Sequence, residues 1–387
     1  MAVKPFKIDV PQDVLDDLQE RLADTRWPDE VEGAGWSYGT NLSYMKALVD
    51  YWQHKFDWRK QEAELNQLPQ FMVEIDGINI HFIHVRSKNA NAKPLLLTHG
   101  WPDSFLRFHK VIPMLTDPAS YGGDPADSFD VVVPSVPGYG FSDRPTKPGM
   151  GSERVAELFH KLMTDVLGYE RYFAQGGDLG SSITLQLAHL HPESLLAIHL
   201  TDVSYPFSPP EGMEMDKDGE EYLNTLNTWW FTEGAYSAVQ GTKPQSVAYG
   251  LNDSPTGMAA WFISFGSRED LGYGEKLHWN GFTVDELLTN LMIYWVTQTP
   301  GSAARMYHEQ DEHPLYPAQK RITVPTAVTK FPGDLVPPRS WVEHNMNLQR
   351  WTETDEGQPF GHFAAIAAPE FFVNELRTFF GNYRTQA

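Results

Sequence analysis

The chemistry in this chain concentrates in Gln175-Gly-Gly-Asp178-Leu-Gly180-Ser-Ser, where one carboxylate stands among small residues. An apolar run precedes the string and a helical pattern follows it. Small neighbours permit the sharp strand-to-helix turn that presents a nucleophile at its apex. The same string also reads as an Asp-capped helix start, so other parts of the chain must decide. A carboxylate is a poor acyl nucleophile in water, but it can attack a saturated carbon bearing a good leaving group and become an alkyl ester. Hydrolysing that ester at the Asp178 carbonyl requires a base to activate water and donors for the developing oxyanion.

Both are available. His99-Gly-Trp-Pro102 follows the first strong apolar run, so the backbone N–H groups of Trp101 and Leu179 are the expected oxyanion pair. His99 itself is expected to fix its loop by hydrogen bonding. A base and its orienting acid should follow in the order nucleophile, acid, histidine. Asp334, in Phe331-Pro-Gly-Asp-Leu335, and His362, in Phe360-Gly-His-Phe-Ala364, stand in that order. Alone, Asp334 is a turn-former beside Gly333 and His362 is one of 14 histidines. The three together carry the argument.

These residues need a scaffold. Val14, Leu15, Leu18 and Leu22 share one face of a helix predicted over Pro11 to Pro28. Met72 to Ile75 and Ile78 to Val85 flank Asp76-Gly77, a hairpin signal. From residue 94 short apolar runs (Pro94 to Thr98, Phe129 to Val133, Tyr172 to Gln175, Leu195 to Leu200, Val324 to Val328) alternate with helical patterns. Those helices are predicted over Ser152 to Leu167, Ser181 to His191 and Pro369 to Phe380. The alternation predicts an α/β chain with a mostly parallel sheet covered on both faces. It stops between 206 and 312, where Thr283 and Glu286 form a capping-box pattern. The expected division is 1–90 for an N-terminal meander and first hairpin, 91–205 and 313–387 for two parts of the core, and 206–312 for an inserted helical lid.

Composition narrows the partners. The chain has 387 residues, 41% of them hydrophobic, and a net charge of −21, which repels nucleic-acid phosphates. Its 30 glycines and 28 prolines are too few for a low-complexity chain. The absence of cysteine removes disulfides, Cys-based zinc sites, iron–sulfur ligation and thiolate nucleophiles. Met1 to Val10 lacks the apolar run of a signal peptide, and no stretch approaches the roughly 18 apolar residues of a membrane span. A cytoplasmic protein without a membrane or nucleic-acid partner is expected. Gly138-Tyr-Gly140 is too short for a dinucleotide fingerprint, and His308 to His313 reads as a solvated acidic loop. No cofactor and no metal are expected.

The motifs Phe56-Asp-Trp-Arg59, His99-Gly-Trp-Pro-Asp-Ser-Phe105, Gly176-Gly-Asp-Leu-Gly180 and Gly361-His-Phe-Ala-Ala365, with Phe6 to Asp29, resemble the α/β-hydrolase-fold epoxide hydrolases. The similarity is to their microsomal-type branch, which carries an extra N-terminal segment, and it runs nearly end to end. It implies attack by Asp178 on an epoxide, hydrolysis of the ester by water that His362 and Asp334 activate, and two lid tyrosines as acids for the epoxide oxygen. By motif position those tyrosines are Tyr236 and Tyr307. The implied partners are a small epoxide and water, with detoxification among the roles. The branch's N-terminal membrane anchor is missing, which implies a soluble relative. Phe360 stands where family members often carry a glycine, and Phe262 to Gly281 departs from the family pattern, so selectivity is expected there. A haloalkane dehalogenase is the rival enzyme, but Leu179 occupies the position where a halide-binding Trp often stands. A non-catalytic binding protein would need to have lost Asp178, His362 or Asp334. The aromatic-rich surface could serve the lid or a homodimer.

Overall fold

The computed structural model describes residues 2–203, 205, 208–264, 279–312, 321–354 and 361–386. Most of Phe262 to Gly281, Phe360 and His313 therefore lie outside the described residues. The described strands form one sheet. They are β1 (Lys4–Phe6), β2 (Gln70–Ile75), β3 (Ile78–Val85), β4 (Lys93–Thr98), β5 (Phe129–Pro134), β6 (Tyr172–Gly176), β7 (Leu195–Leu200), β8 (Ile322–Lys330) and β9 (Met346–Glu353). Their order across the sheet is β1-β2-β3-β5-β4-β6-β7-β8-β9.

The first four strands in that order pair antiparallel, and every pair from β5 to β9 is parallel. Asp76 and Gly77 both take positive φ, 52° and 80°, as a two-residue hairpin turn requires. The parallel strands β4, β6 and β7 are apolar and nearly fully buried because helices cover both faces. β4 lies between β5 and β6, so the winding direction reverses beside it. A crevice opens at the strand C-termini where such a reversal occurs.

Six helices lie between β7 and β8 among the described residues: Lys217–Thr232, Ala235–Thr242, Pro244–Asp253, Pro255–Ser264, Val284–Thr297 and Pro300–Glu312. Thr283 and Glu286 cap one of them reciprocally: the Glu286 N–H donates to Thr283 Oγ1 and the Thr283 N–H donates to Glu286 Oε2. The N-terminal helix Leu42–His54, the sheet and these inserted helices share one apolar core, in which Leu48, Leu97 and Ile293 are all buried.

Three helix boundaries differ from the sequence expectation, and residues 308–312, read there as a loop, continue the helix Pro300–Glu312. The first helix ends at Ala23 rather than Pro28, because the Thr25 hydroxyl and Asp24 N–H close the turn on Leu22 and Glu20. The segment from Ser152 changes from α at Lys161 to a wider turn over Leu162–Val166, with the Leu167 N–H bonded to Leu162 O. The helix expected from Ser181 begins at Leu179, directly against Asp178.

Candidate active site

β6 ends at Gly176 and the next helix starts at Leu179, leaving Asp178 at the apex with φ 59° and ψ −132°. Such a backbone costs an L residue about 1–3 kcal/mol, so the surroundings must hold it. A Cβ on Gly180 would collide with the Thr98 carbonyl, and one on Gly100 with the Asp178 carboxylate. Glycine at these two positions lets the loops after β4 and β6 interlock.

Asp178 Oδ1 accepts the N–H groups of Trp101 at 2.9 Å and Leu179 at 2.6 Å. The Leu179 bond is also the helix cap, so the two readings of the motif describe one geometry. Asp178 Oδ2 lies 3.4 Å from His362 Nε2, and His362 Nδ1 lies 2.9 Å from Asp334 Oδ1. Asp334 hangs from the loop after β8 and His362 from the loop after β9. The structure thus brings together three residues that are far apart in sequence. Their side chains keep only 12, 13 and 10% exposure for Asp178, His362 and Asp334, which limits access by bulk water.

Burial disfavours both charged partners, and their mutual attraction overrides it. For His362, Asp334 and Asp178 more than offset burial and hold its pKa well above the ordinary value. For Asp178, His362 and the two N–H donors outweigh burial and lower the pKa. The resting pair is therefore a carboxylate facing an imidazolium. His99 is fully buried and fixes its loop as expected: its Nδ1–H donates to Gly100 O and its Nε2 accepts the Val136 N–H.

The two tyrosines converge on the same place. The Tyr236 ring stacks on the Trp101 indole with centroids 5.0 Å apart, and Tyr307 stands edge-on to both at 5.9 and 6.1 Å. Burial raises both hydroxyl pKa values well above 10. The Asp178 charge adds to this in each case, so both phenols stay protonated.

Known proteins share this arrangement of fold and sequence. Residues 3–108 match the family described as epoxide hydrolase N terminus, and residues 93–240 match the alpha/beta hydrolase fold. The chain is 35% identical to epoxide hydrolase 1 of Sus scrofa over 98% of its own length and 89% of the relative's. The chain belongs to the epoxide hydrolases. Among solved structures, the juvenile hormone epoxide hydrolase of the silkworm Bombyx mori superimposes with a TM-score of 0.86 at 29% identity, covering 100% of this chain and 95% of that one. The Aspergillus niger epoxide hydrolase superimposes with a TM-score of 0.83 at 29% identity, covering 100% and 97%. Among the described residues no helix is long and apolar enough to cross a membrane.

This epoxide hydrolase also contains a support layer that sequence reasoning missed. Asp103 and Arg107 form a buried ion pair at 2.8 Å. Asp103 Oδ1 accepts the Gly100 N–H, and Arg107 Nη2 donates to His362 O at 2.6 Å. One ion pair thus ties the Trp101 loop to the His362 loop. The helix Val284–Thr297 clamps the same loop from above: Asn290 Nδ2 donates to Pro102 O, and the Tyr294 hydroxyl donates to Asp103 O. An arginine inside the apolar run Phe105 to Phe108, four residues after an aspartate, was the available signal. Asp202, just beyond β7, was also missed. It is 4% exposed, and its Oδ2 accepts the Asp178 N–H at 2.7 Å.

Proposed function

We propose that the hydrolase converts an epoxide to a vicinal diol through an ester on Asp178. Asp178 Oδ2 bonds to an epoxide carbon, the carbon–oxygen bond breaks, and its electron pair goes to the epoxide oxygen. A proton from Tyr307 or Tyr236 then neutralises that oxygen. The observation that carries this reading is the pair of N–H donors on Oδ1. In the ester Oδ2 bears the alkyl group, so Oδ1 becomes the carbonyl oxygen already seated between Trp101 N–H and Leu179 N–H. When water adds to the carbonyl carbon, the negative charge develops on that same atom.

The first step also prepares the second. Asp178 is one of two carboxylates that hold the His362 proton. Esterification removes its charge and so lowers the His362 pKa, and the imidazolium's proton returns to the tyrosinate left by ring opening, leaving a neutral imidazole. It then deprotonates water while Asp334 stabilises the imidazolium that returns. In this reading the segment 206–312 is a lid that supplies the acids and encloses the ester.

His362→Gln, exposed to a pool of styrene oxide, cyclohexene oxide and a terminal alkyl epoxide, tests the reading by intact mass. The expected result is a gain equal to one whole epoxide, mapped to Asp178. A haloalkane pool run alongside should leave the mass unchanged. An adduct lacking the elements of hydrogen halide, or no adduct with any epoxide, would overturn the reading.

A further inference from the structure

We propose that Asp202 is a positioning residue for the nucleophile, holding the Asp178 amide and the elbow behind it in the orientation that attack on the epoxide requires. The proposal rests on the ester reading above. Its basis is geometric. Asp202 lies at the exit of β7, the strand paired with β6. It grips the elbow together with its neighbour: Asp202 Oδ2 accepts the Asp178 N–H at 2.7 Å, and the Thr201 N–H donates to Gly176 O at 3.2 Å. The Asp178 amide needs such a partner because φ of 59° is an orientation that the residue would not keep unaided. Rotating that peptide would swing Oδ2 away from its line of attack.

Asp202 has no place in the proposed bond-making steps. It does not attack, and the His362 Nδ1 proton already belongs to Asp334. A buried carboxyl without a function is costly to retain. Its charge is also poised to change. Among the described residues it faces Asp178 and Ser181 from the elbow and its helix, His362 and Asp334 from the loops after β9 and β8, and Tyr205 from its own loop. Burial and the two carboxylates push its pKa up to about 7, against the opposing pull of His362 and Ser181. Once ionised, Asp202 grips the amide through a charge-assisted bond. It also repels the charge that leaves Asp178 for the epoxide oxygen, so attack should quicken as Asp202 loses its proton.

The rate of ester formation tests this in the His362→Gln background, where the ester persists. Removing His362 takes away a group that lowers the Asp202 pKa, so the midpoint there lies above about 7. With styrene oxide as probe, Asp202→Ala should slow the mass gain roughly 10- to 100-fold. Asp202→Asn keeps an acceptor oxygen; it should match the parent within about threefold near pH 6 and lack the parent's rise toward about pH 9. Ester formation at the parent's rate in Asp202→Ala, or a parent-like pH profile in Asp202→Asn, overturns the proposal. If Asp202→Ala does not fold, the Asn comparison decides alone. A purely structural role would lower the melting temperature and leave the pH profile intact. Absence of any adduct in the His362→Gln parent would instead strike the ester reading itself.

Discussion

At the ends of β6, β7 and β8, the carboxyl groups of Asp178, Asp202 and Asp334 crowd around one imidazole. At the start of the helix Val284–Thr297, a single carboxylate, Glu286, is shared by Lys110 at 2.6 Å, His109 at 3.2 Å and the Thr283 N–H at 3.0 Å. The segment from Asp103 to Lys110 links them: Arg107 donates to His362 O in the first, and His109 and Lys110 meet Glu286 in the second. In the first, acid groups outnumber their cation and one is driven toward its neutral form. In the second, a lysine, an imidazole and a backbone N–H all bond one carboxylate, and its pKa is held down to about 2 despite burial. In the first arrangement the ionised form of Asp202 costs stability, and in the proposed mechanism the cluster carries the reaction; the second fastens the inserted helices to the core. The contrast is between a carboxyl that burial drives toward its neutral form, Asp202, and one that its partners keep ionised, Glu286.

The largest effect should come from the crowded region. Tyr307→Phe removes a donor at the charge that develops on the epoxide oxygen, and should slow ring opening by about 10²–10³-fold, as loss of a comparable oxyanion donor does. Pre-steady-state mass or fluorescence traces would measure this. An unchanged alkylation rate would leave Tyr236 as the sole acid.

The next two variants should shift stability with opposite sign. Asp202 has a raised pKa in the folded chain, about 7 against about 3.9 unfolded, so its cost is absent below the unfolded value, grows between the two and is complete above 7. Asp202→Asn should therefore stabilise the protein by up to a few kcal/mol at pH 8 and by little at pH 4. Denaturant melts at the two pH values would show it, and equal effects at both would contradict the account. Glu286 has a depressed pKa, so its stabilisation is present above about 4.3 and is lost as pH falls through about 2. Glu286→Gln should cost about 1–2 kcal/mol at pH 7 and less at pH 3. A variant as stable as the parent at neutral pH would remove the contrast between the two regions.

How much of this was legible in the sequence depended on whether a residue's signal was local. β7 over Leu195–Leu200 and the helix Pro369–Phe380 have the predicted bounds, because an unbroken apolar run and a proline-started helical period mark their ends. β9 over Met346–Glu353 was not named; its polar and aromatic mixture sits half-buried at the sheet edge and shows no clean alternation. The meeting of Asp178, Asp334 and His362 was readable because each stands in a glycine-marked loop and they follow one another in a meaningful order. Asp202 carries no such mark, and the Asp103–Arg107 pair shows only a charge set in an apolar run. Their importance arises from which strand neighbours which, and the order β4-β6-β7 is a property of the folded sheet.

In the proposed mechanism water attacks the Asp178 carbonyl and never the epoxide carbon. A single turnover of the wild-type chain in heavy-oxygen water, with enzyme in excess over epoxide, tests it most directly. The account predicts a diol free of label, its new hydroxyl oxygen drawn from Asp178, and label recovered in the peptide containing Asp178. Label in the diol with none in Asp178 would mean direct attack by water on the epoxide and would contradict the account.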